Sequence, residues 1–379
     1  MKVYLDNGAT TRVDDRVVNA MLPYFTDKYG NASSLHSKGQ EAKMALDESR
    51  EIIAKRIGAR FDEIIFTSGG TESDNLALKG IAYVNGKGHI ITSKIEHSAI
   101  LKSCEVLEKE GFKVTYLNVD KEGFVDLEQL KNSITRDTIL VSIMHVNNEI
   151  GVIQDIAGIG KICKEKNILF HTDAVQSFCK VPIDVRRINV DLISLSAHKL
   201  HGPKGIGALY IKKSTQQKLK KIMDGGSHEF NLRAGTENIP GIVGFATAVR
   251  SFSNREIAHI TRLRDKLIDG ILKLPNVKLN GSREKRVCNN VNVSFKYIEG
   301  ESLGGYLDAK GICSSSGSAC TSRELKPSHV LTALGLDAVE SQGSLRLTLG
   351  KFTTEKEIDY VLEVLPKIVE KLRRMSPLK

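Results

Sequence analysis

The sequence contains no run of about 18 or more apolar residues, so it predicts no membrane-spanning helix. Its start, "MKVYLDNGATTRVDD", lacks the apolar stretch of a secretory leader and turns polar by Asp6, which places the protein in the cytoplasm as an expectation. None of the six cysteines forms a C-x-x-C pair, which disfavours an intrinsic zinc or iron–sulfur site. In a reducing compartment they are expected as thiols. No zinc finger, RNA-recognition aromatic pair or arginine-rich tract occurs, so direct nucleic-acid binding is not expected. The G-x-x-x-x-G-K-[ST] and G-x-G-x-x-G spacings are absent too, which argues against a Walker-type nucleotide site and a dinucleotide site.

What is present is ample. The chain has 379 residues, 41% of them hydrophobic, enough for a large core and for two or three domains. The net charge of +10 comes from 55 Lys+Arg against 45 Asp+Glu and is spread along the chain. Mild concentrations at "KKSTQQKLKK" and "KIVEKLRRMSPLK" read as solvated helix faces, the sharper alternative being a surface for an acidic or phosphate-bearing partner.

From Glu63 to Ile211, short apolar runs alternate with helical patterns. The runs are "EIIFT", "HIITS", "KVTYLNV", "TILVSIMHV", "ILFHTDA", "DLISLS" and "GALYIK". Near-continuous apolar strands alternating with helices predict a mainly parallel seven-stranded sheet covered by helices, an α/β fold. Ligands of such sheets bind beyond the carboxyl ends of the strands. There the sequence places "SGGTESDN", "KIEHSA", "NNEIG", "DAVQS" and "AHKLHG", more polar groups than turns require. After Pro240 the pattern changes: "GIVGFATAVRSFSNREIAHITRLRDKLIDGILKL" reads as one long helix, followed by mixed short strands and helices. This suggests a smaller α+β domain. The division expected is residues 15–251 for the large domain and residues 1–14 with 252–379 for the small one.

Three of these edge groups suggest a cofactor. The glycines and Thr71 opening a helix offer backbone N–H groups and a positive helix end to a phosphate, although a tight turn with an N-cap explains them equally well alone. Asp173, ending a buried strand, needs a partner, and a protonated pyridine nitrogen would serve. Lys199, at another strand end, can form a Schiff base with an aldehyde. Phosphate, pyridinium and aldehyde together describe pyridoxal 5′-phosphate.

The segments "YLDNGATT", "GNASSLH", "FTSGGTESDNLA", "IEHSAI", "MHVNNEIG", "HTDAVQS", "SAHKLHGPKGIGALYI", "RAGTEN" and "SSGSACTS" occur in order over nearly the whole chain. Together they resemble the cysteine desulfurases of the NifS/IscS class, which are fold-type I enzymes dependent on pyridoxal 5′-phosphate. The resemblance implies that Lys199 carries the cofactor, Asp173 pairs with its ring nitrogen and Gln176 bonds its phenolic oxygen. It implies that His97 stacks on the ring and serves in proton transfer. Gly70, Thr71, Ser196 and His198 would hold the phosphate, with Thr236 reaching it from the other subunit of a homodimer. Asn148 would contact cofactor and substrate, and Arg346 would clamp the substrate carboxylate, a bidentate task suited to guanidinium. Cys320 would accept sulfur as a persulfide while L-cysteine becomes L-alanine, and it is the residue expected to ligate a cluster in transit. An iron–sulfur scaffold protein is the implied sulfur acceptor. Selenocysteine lyase, another fold-type I enzyme such as an aminotransferase, and a non-catalytic scaffold remain the alternatives.

The surroundings of Cys320 agree with that role. "GICSSSGSACTSRELKP" is small, polar and glycine/serine-rich, the composition of a mobile tether. Cys313 reads as a packed residue at a strand end, and Cys104, Cys163 and Cys179 as core fillers. His201 and Lys204 read as turn and surface residues.

Overall fold

The computed structural model describes residues 1–315 and 327–376. Within them the strands are β1 (Val3–Tyr4), β2 (Ile64–Thr67), β3 (His89–Ser93), β4 (Lys113–Leu117), β5 (Thr138–Ser142) and β6 (Leu169–Asp173). There follow β7 (Leu192–Ser196), β8 (Gly207–Ile211), β9 (Val277–Leu279), β10 (Asn290–Phe295), β11 (Ile312–Cys313) and β12 (Ser344–Thr348). The central sheet has seven strands in the order β2-β8-β7-β6-β5-β3-β4. Only β8 runs against its neighbours; the other pairings are parallel.

All seven runs read from the sequence are strands of this sheet, and their apolar character has a direct cause. Alternate side chains enter opposite faces, and both faces are covered. Ile64, Phe66, Ile91, Val141 and Ile193 belong to one core, and Ile65, Ile90, Leu140, Leu192 and Leu209 to the other. The helix Gly70–Asn85 covers β5, β7 and β8, whereas the helix Ser37–Ile57 packs against the helix Ile239–Ser251.

The later part of the chain forms an antiparallel sheet in the order β12-β10-β9, with the helix Asn254–Ile271 against β10 and the helix Glu355–Met375 against that helix. One expectation fails here. The pattern from Gly241 onward is not one helix: it breaks at Phe252–Ser253. Ser253 starts a new helix with a capping box, its own N–H donating to Glu256 Oε2 (3.0 Å) and its Oγ accepting from the Arg255 N–H (3.2 Å). The apolar period continues across the break, which hides it from a periodicity reading.

Two connections place the future site. The N-terminal segment crosses the end of the central sheet: Thr11 N–H donates to the His198 carbonyl (3.1 Å), His201 N–H donates to Thr11 Oγ1 (2.8 Å), and Gly8 N–H donates to Thr348 Oγ1 (2.6 Å). Ser315 pairs with Arg346 of β12 through two backbone hydrogen bonds, of 2.7 and 3.2 Å. Beyond the undescribed stretch, Ser328 caps the helix His329–Ala333 and its Oγ donates to Glu149 Oε2 (2.5 Å).

His201 is not a surface residue. It is buried in a left-handed backbone conformation (φ 65°), with Nδ1–H donating to the Arg12 carbonyl (2.8 Å) and Nε2 accepting from the Lys351 N–H. Burial holds its pKa down at about 4, so the ring is neutral. The turn it occupies is roofed by the N-terminal segment, 190 residues away in sequence, and no local pattern announces that cover. Cys313 also departs from its reading: it is exposed in the two-residue strand β11, whereas Cys104, Cys163 and Cys179 are buried as expected.

A buried ion pair fastens the helix Ser37–Ile57 to β2. Arg50 and Glu229, both almost fully buried, meet fork to fork at 2.7 and 2.8 Å, and Glu229 also accepts the Phe66 N–H (2.7 Å). Glu229, Phe230 and Asn231 are all in the left-handed region, with φ of 47°, 56° and 63°, where side-chain-bearing residues seldom sit. The pair holds that turn closed. Glu229→Leu strands the Arg50 cation, and we expect thermal unfolding to register a loss of about 3–5 kcal/mol. A loss under about 1 kcal/mol would show that Arg50 finds water instead.

Candidate active site

A cavity of about 260 Å³ opens at the carboxyl ends of the central strands. Its lining comes from segments far apart in the chain: the crossing N-terminal segment, the helix after β2, the turns after β3, β5, β6 and β7, and β12. Of the residues singled out in the sequence, Gly70, Thr71, His97, Asn148, Asp173, Gln176, Ser196, His198, Lys199 and Arg346 all line it. Thr236 does not; it is exposed on this chain. Cys320 lies outside the described residues.

Lys199 ends a single 3₁₀ turn that follows β7 directly. Its ammonium donates to two carbonyls of the N-terminal segment, Gly8 O (2.6 Å) and Ala9 O (2.7 Å). Burial pushes its pKa down to about 7, helped by the nearby cations Arg346 and Lys180. A lysine near neutrality at physiological pH is a nucleophile and a base.

Asp173 ends β6, buried, its Oδ1 accepting the Val175 N–H (2.8 Å). Burial raises its pKa, while His97 and Lys199 pull the other way. His97 caps the helix Ser98–Lys109, its Nδ1 accepting the Ala99 N–H (3.1 Å), which leaves Nε2 for other work. Burial lowers its pKa and favours the neutral ring. Gln176 Nε2 donates to Gly8 O (3.1 Å).

On the opposite side, Arg346 projects from β12 almost fully buried. Nη2 pairs with Asp6 (3.1 Å) and Nη1 donates to the Asn148 carbonyl (3.1 Å). Its Nε, also buried, has no partner among the described residues. A guanidinium so placed can take a carboxylate.

The third quarter of the cavity suits an anion. The helix Gly70–Asn85 has no side-chain cap, and its first intrahelical donor is the Ser73 N–H, so the N–H groups of Gly70, Thr71 and Glu72 have no intrahelical acceptor. A Cβ at Gly70 would come within 2.6 Å of the Val175 side chain, so glycine is what lets this helix start approach β6. A second cavity of about 410 Å³, lined partly by the exposed Lys204, shares Ala9, Gly70, Thr71, Ser196 and His198 with the first.

Sequence reasoning missed four contributors. Gly8 and Ala9 act through carbonyls, which carry no side-chain signal. Asp6 pairs with Arg346 from 340 residues away. Asp74, one helical turn beyond Thr71 in the same "SGGTESDN" run, is 1% exposed and lines the cavity beside Asp173. The i, i+3 spacing to Thr71 could have flagged it.

Comparison with known proteins agrees with this architecture. The chain belongs to the aminotransferase class-V family, whose model matches residues 3–361. It is 56% identical to the cysteine desulfurase IscS of Methanosarcina thermophila, over 99% of this chain and 94% of that one. To the cysteine desulfurase IscS of Dictyoglomus turgidum (strain DSM 6724 / Z-1310) it is 52% identical, over 100% of this chain and 97% of the relative. Among solved structures, a NifS-like protein superimposes with a TM-score of 0.91 at 41% identity, covering 98% of this chain and all of its own. The structure of SspA in complex with cysteine matches with a TM-score of 0.85 at 39% identity, over 93% of this chain and all of that one.

The charge surroundings of Lys199 are open to test by reductive labelling with a small aldehyde, read by mass spectrometry across pH. Modification should rise with pH as the amine loses its proton, with a midpoint near 7. Arg346→Gln removes a neighbouring cation and should move that midpoint upward. A midpoint unmoved or lowered would show that Arg346 does not act on Lys199.

Proposed function

We propose that this protein is a cysteine desulfurase, dependent on pyridoxal 5′-phosphate, that converts L-cysteine to L-alanine and passes the sulfur to Cys320. The observation that carries this reading is the meeting of Lys199, Asp173 and Arg346 in one cavity. Its high-identity relatives bear the same functional name.

The residues present fit that cofactor. Asp173 offers a buried carboxylate to a ring nitrogen, the start of the helix at Gly70 offers unpaired N–H groups to a phosphate, and Lys199 offers an amine near neutrality to an aldehyde. When bound, the cofactor supplies an imine linkage to the substrate and a cationic ring that withdraws electrons from its α-carbon.

The chain's own residues do the rest. Thr71, Ser196 and His198 would hold the phosphate alongside Gly70, and Gln176 would bond the ring's oxygen. Arg346 would grip the substrate carboxylate with Asn148 beside it, in the cavity that Lys199 also lines. Lys199 Nζ, near neutrality, would take the α-proton, and His97 Nε2 would serve as a second proton carrier. The Cys320 thiolate attacks the substrate sulfur: a sulfur–sulfur bond forms, the carbon–sulfur bond breaks, and its electron pair stays with carbon, which is then protonated toward alanine.

The same reading extends to the assembly. Thr236, exposed on this chain, would reach the phosphate of a second copy in a homodimer. Persulfide sulfur would go to an iron–sulfur scaffold protein in the cytoplasm, and Cys320 would ligate a cluster in transit. Residues 15–251 would form the large domain, and residues 1–14 with 252–379 the small one. No helix among the described residues is long and apolar enough to cross a membrane.

Two variants test the chemistry. With cofactor and L-cysteine supplied, Lys199→Ala should lose the visible absorbance of the bound cofactor and make no alanine; normal turnover would sink the assignment. Cys320→Ser should still bind cofactor and cysteine but carry no persulfide by mass spectrometry. Undiminished sulfur transfer from that variant would exclude Cys320 as acceptor. Amino exchange with keto acids in place of alanine and sulfide would move the reading to an aminotransferase.

A further inference from the structure

Asp74 has no task in the chemistry above, yet it is the least supported charge-bearing group in the cavity. It is 1% exposed, and its Oδ1 has no hydrogen-bond partner among the described residues. One ligand atom each from Asp74, His97 and Asp173 lies within 4.8 Å of the other two, so two carboxyl groups sit side by side away from water. Like charges that close, in a buried place, do not both ionise.

The groups around Asp74 decide which carboxyl keeps the proton. From β6, His171 faces it at 3.8 Å. That ring is fully buried, its nitrogens bonded to the hydroxyls of Ser142 (2.8 Å) and Ser194 (3.0 Å), and burial drives its pKa to about 3, so it brings no positive charge. From β7, the Ser194 hydroxyl, itself bonded to His171, lowers the Asp74 pKa slightly against the larger effect of burial. From the turn after β3, Glu96 is a further buried carboxyl, occupied by the Ser93 hydroxyl (2.5 Å) and the Met144 N–H. Burial raises its pKa to about 8. Asp173, by contrast, has the Val175 N–H and two groups able to carry positive charge nearby, His97 and Lys199.

We propose that Asp74 is a positioning residue that works through Asp173: it remains un-ionised beside that carboxylate, so the cavity presents a single negative charge, on Asp173, to the cationic ring nitrogen. The inference rests on the cofactor reading above. Burial and the proximity of Asp173 both raise the Asp74 pKa, in the same direction as the geometry.

Asp74→Asn tests this, because it keeps the shape and removes the ability to ionise. The difference infrared spectrum of parent minus variant at pH 7 should contain the band of an un-ionised carboxyl; a carboxylate band in its place overturns the proposal. The cofactor-free protein gives a second readout. A carboxyl that stays protonated when folded and ionises when unfolded costs stability as pH rises above about 4. The melting temperature of Asp74→Asn should therefore gain on the parent between pH 6 and pH 8, by at least about 2 °C. A gap that is flat or narrows overturns the proposal. In the cofactor-loaded protein, the pH titration of the visible absorbance should keep its midpoint in Asp74→Asn; a shift of about one pH unit, the effect of a lost nearby charge, also overturns it. If Asp74→Asn does not fold, Asp74→Ser, smaller and equally unable to ionise, takes its place. Failure of the chain to take up any cofactor would sink the proposed function, while the infrared and melting measurements on cofactor-free protein would still decide the state of Asp74.

Discussion

The cavity depends on nine residues near the N-terminus, Asp6 to Asp14, being held across the end of the central sheet. Their backbone is fixed to the turn after β7 through His198 and His201, and to β12 through Thr348. Each fixing point is also next to a cavity residue. Gly8 and Ala9 present their carbonyls to Lys199, and Asp6 presents its carboxylate to Arg346. Without this strap, the lysine would lose both its acceptors and its exclusion from water. Its depressed pKa is therefore a property of the long-range topology as much as of the turn that carries it.

The second organising fact is charge accounting in a small buried volume. Two basic groups, Lys199 and Arg346, and two carboxyls, Asp173 and Asp74, share the space with the half-buried ring of His97. Direct ion pairing inside the cavity is sparse: Arg346 pairs with Asp6, while Lys199 leans on neutral carbonyls. In this setting Lys199 is held near neutrality instead of locked as a fixed charge, which is the condition general acid–base chemistry requires. The parallel strands make this arrangement reachable, because each ends at the same edge and none needs a long loop to deliver its residue.

Much of this is legible in the chain. The seven apolar strands are fully determined by two-sided burial, and a one-residue slip in any of them would turn its polar terminal residue away from the edge. Hence the strand pattern alone assigns Thr71, His97, Asp173, Ser196 and Lys199 to one edge. The departures share a different origin. The break at Ser253, the cover over His201 and the exposure of Cys313 are set by contacts with distant segments or by a cap inside an uninterrupted apolar period. Asp74 escapes a reading of the sequence because a polar residue early in a helix looks like ordinary first-turn chemistry, and only packing against β6 and β7 shows that its face is inward.

The pairing of Ser315 with Arg346 has a mechanical side. The chain leaves β11 from a residue bonded twice to the backbone of the proposed carboxylate clamp, and it returns at Ser328, moored to Glu149 next to Asn148. His329 adds a second mooring on the Glu96 carbonyl, next to His97. The described chain is thus made fast to the rim of the cavity on either side of positions 316–326. From Ser315 to position 320 is five residue steps, which covalent geometry alone caps at ~18 Å. Both moorings are thus built from the same residues that flank the clamp and the histidine, so the two ends of the span share their footing with the cavity itself.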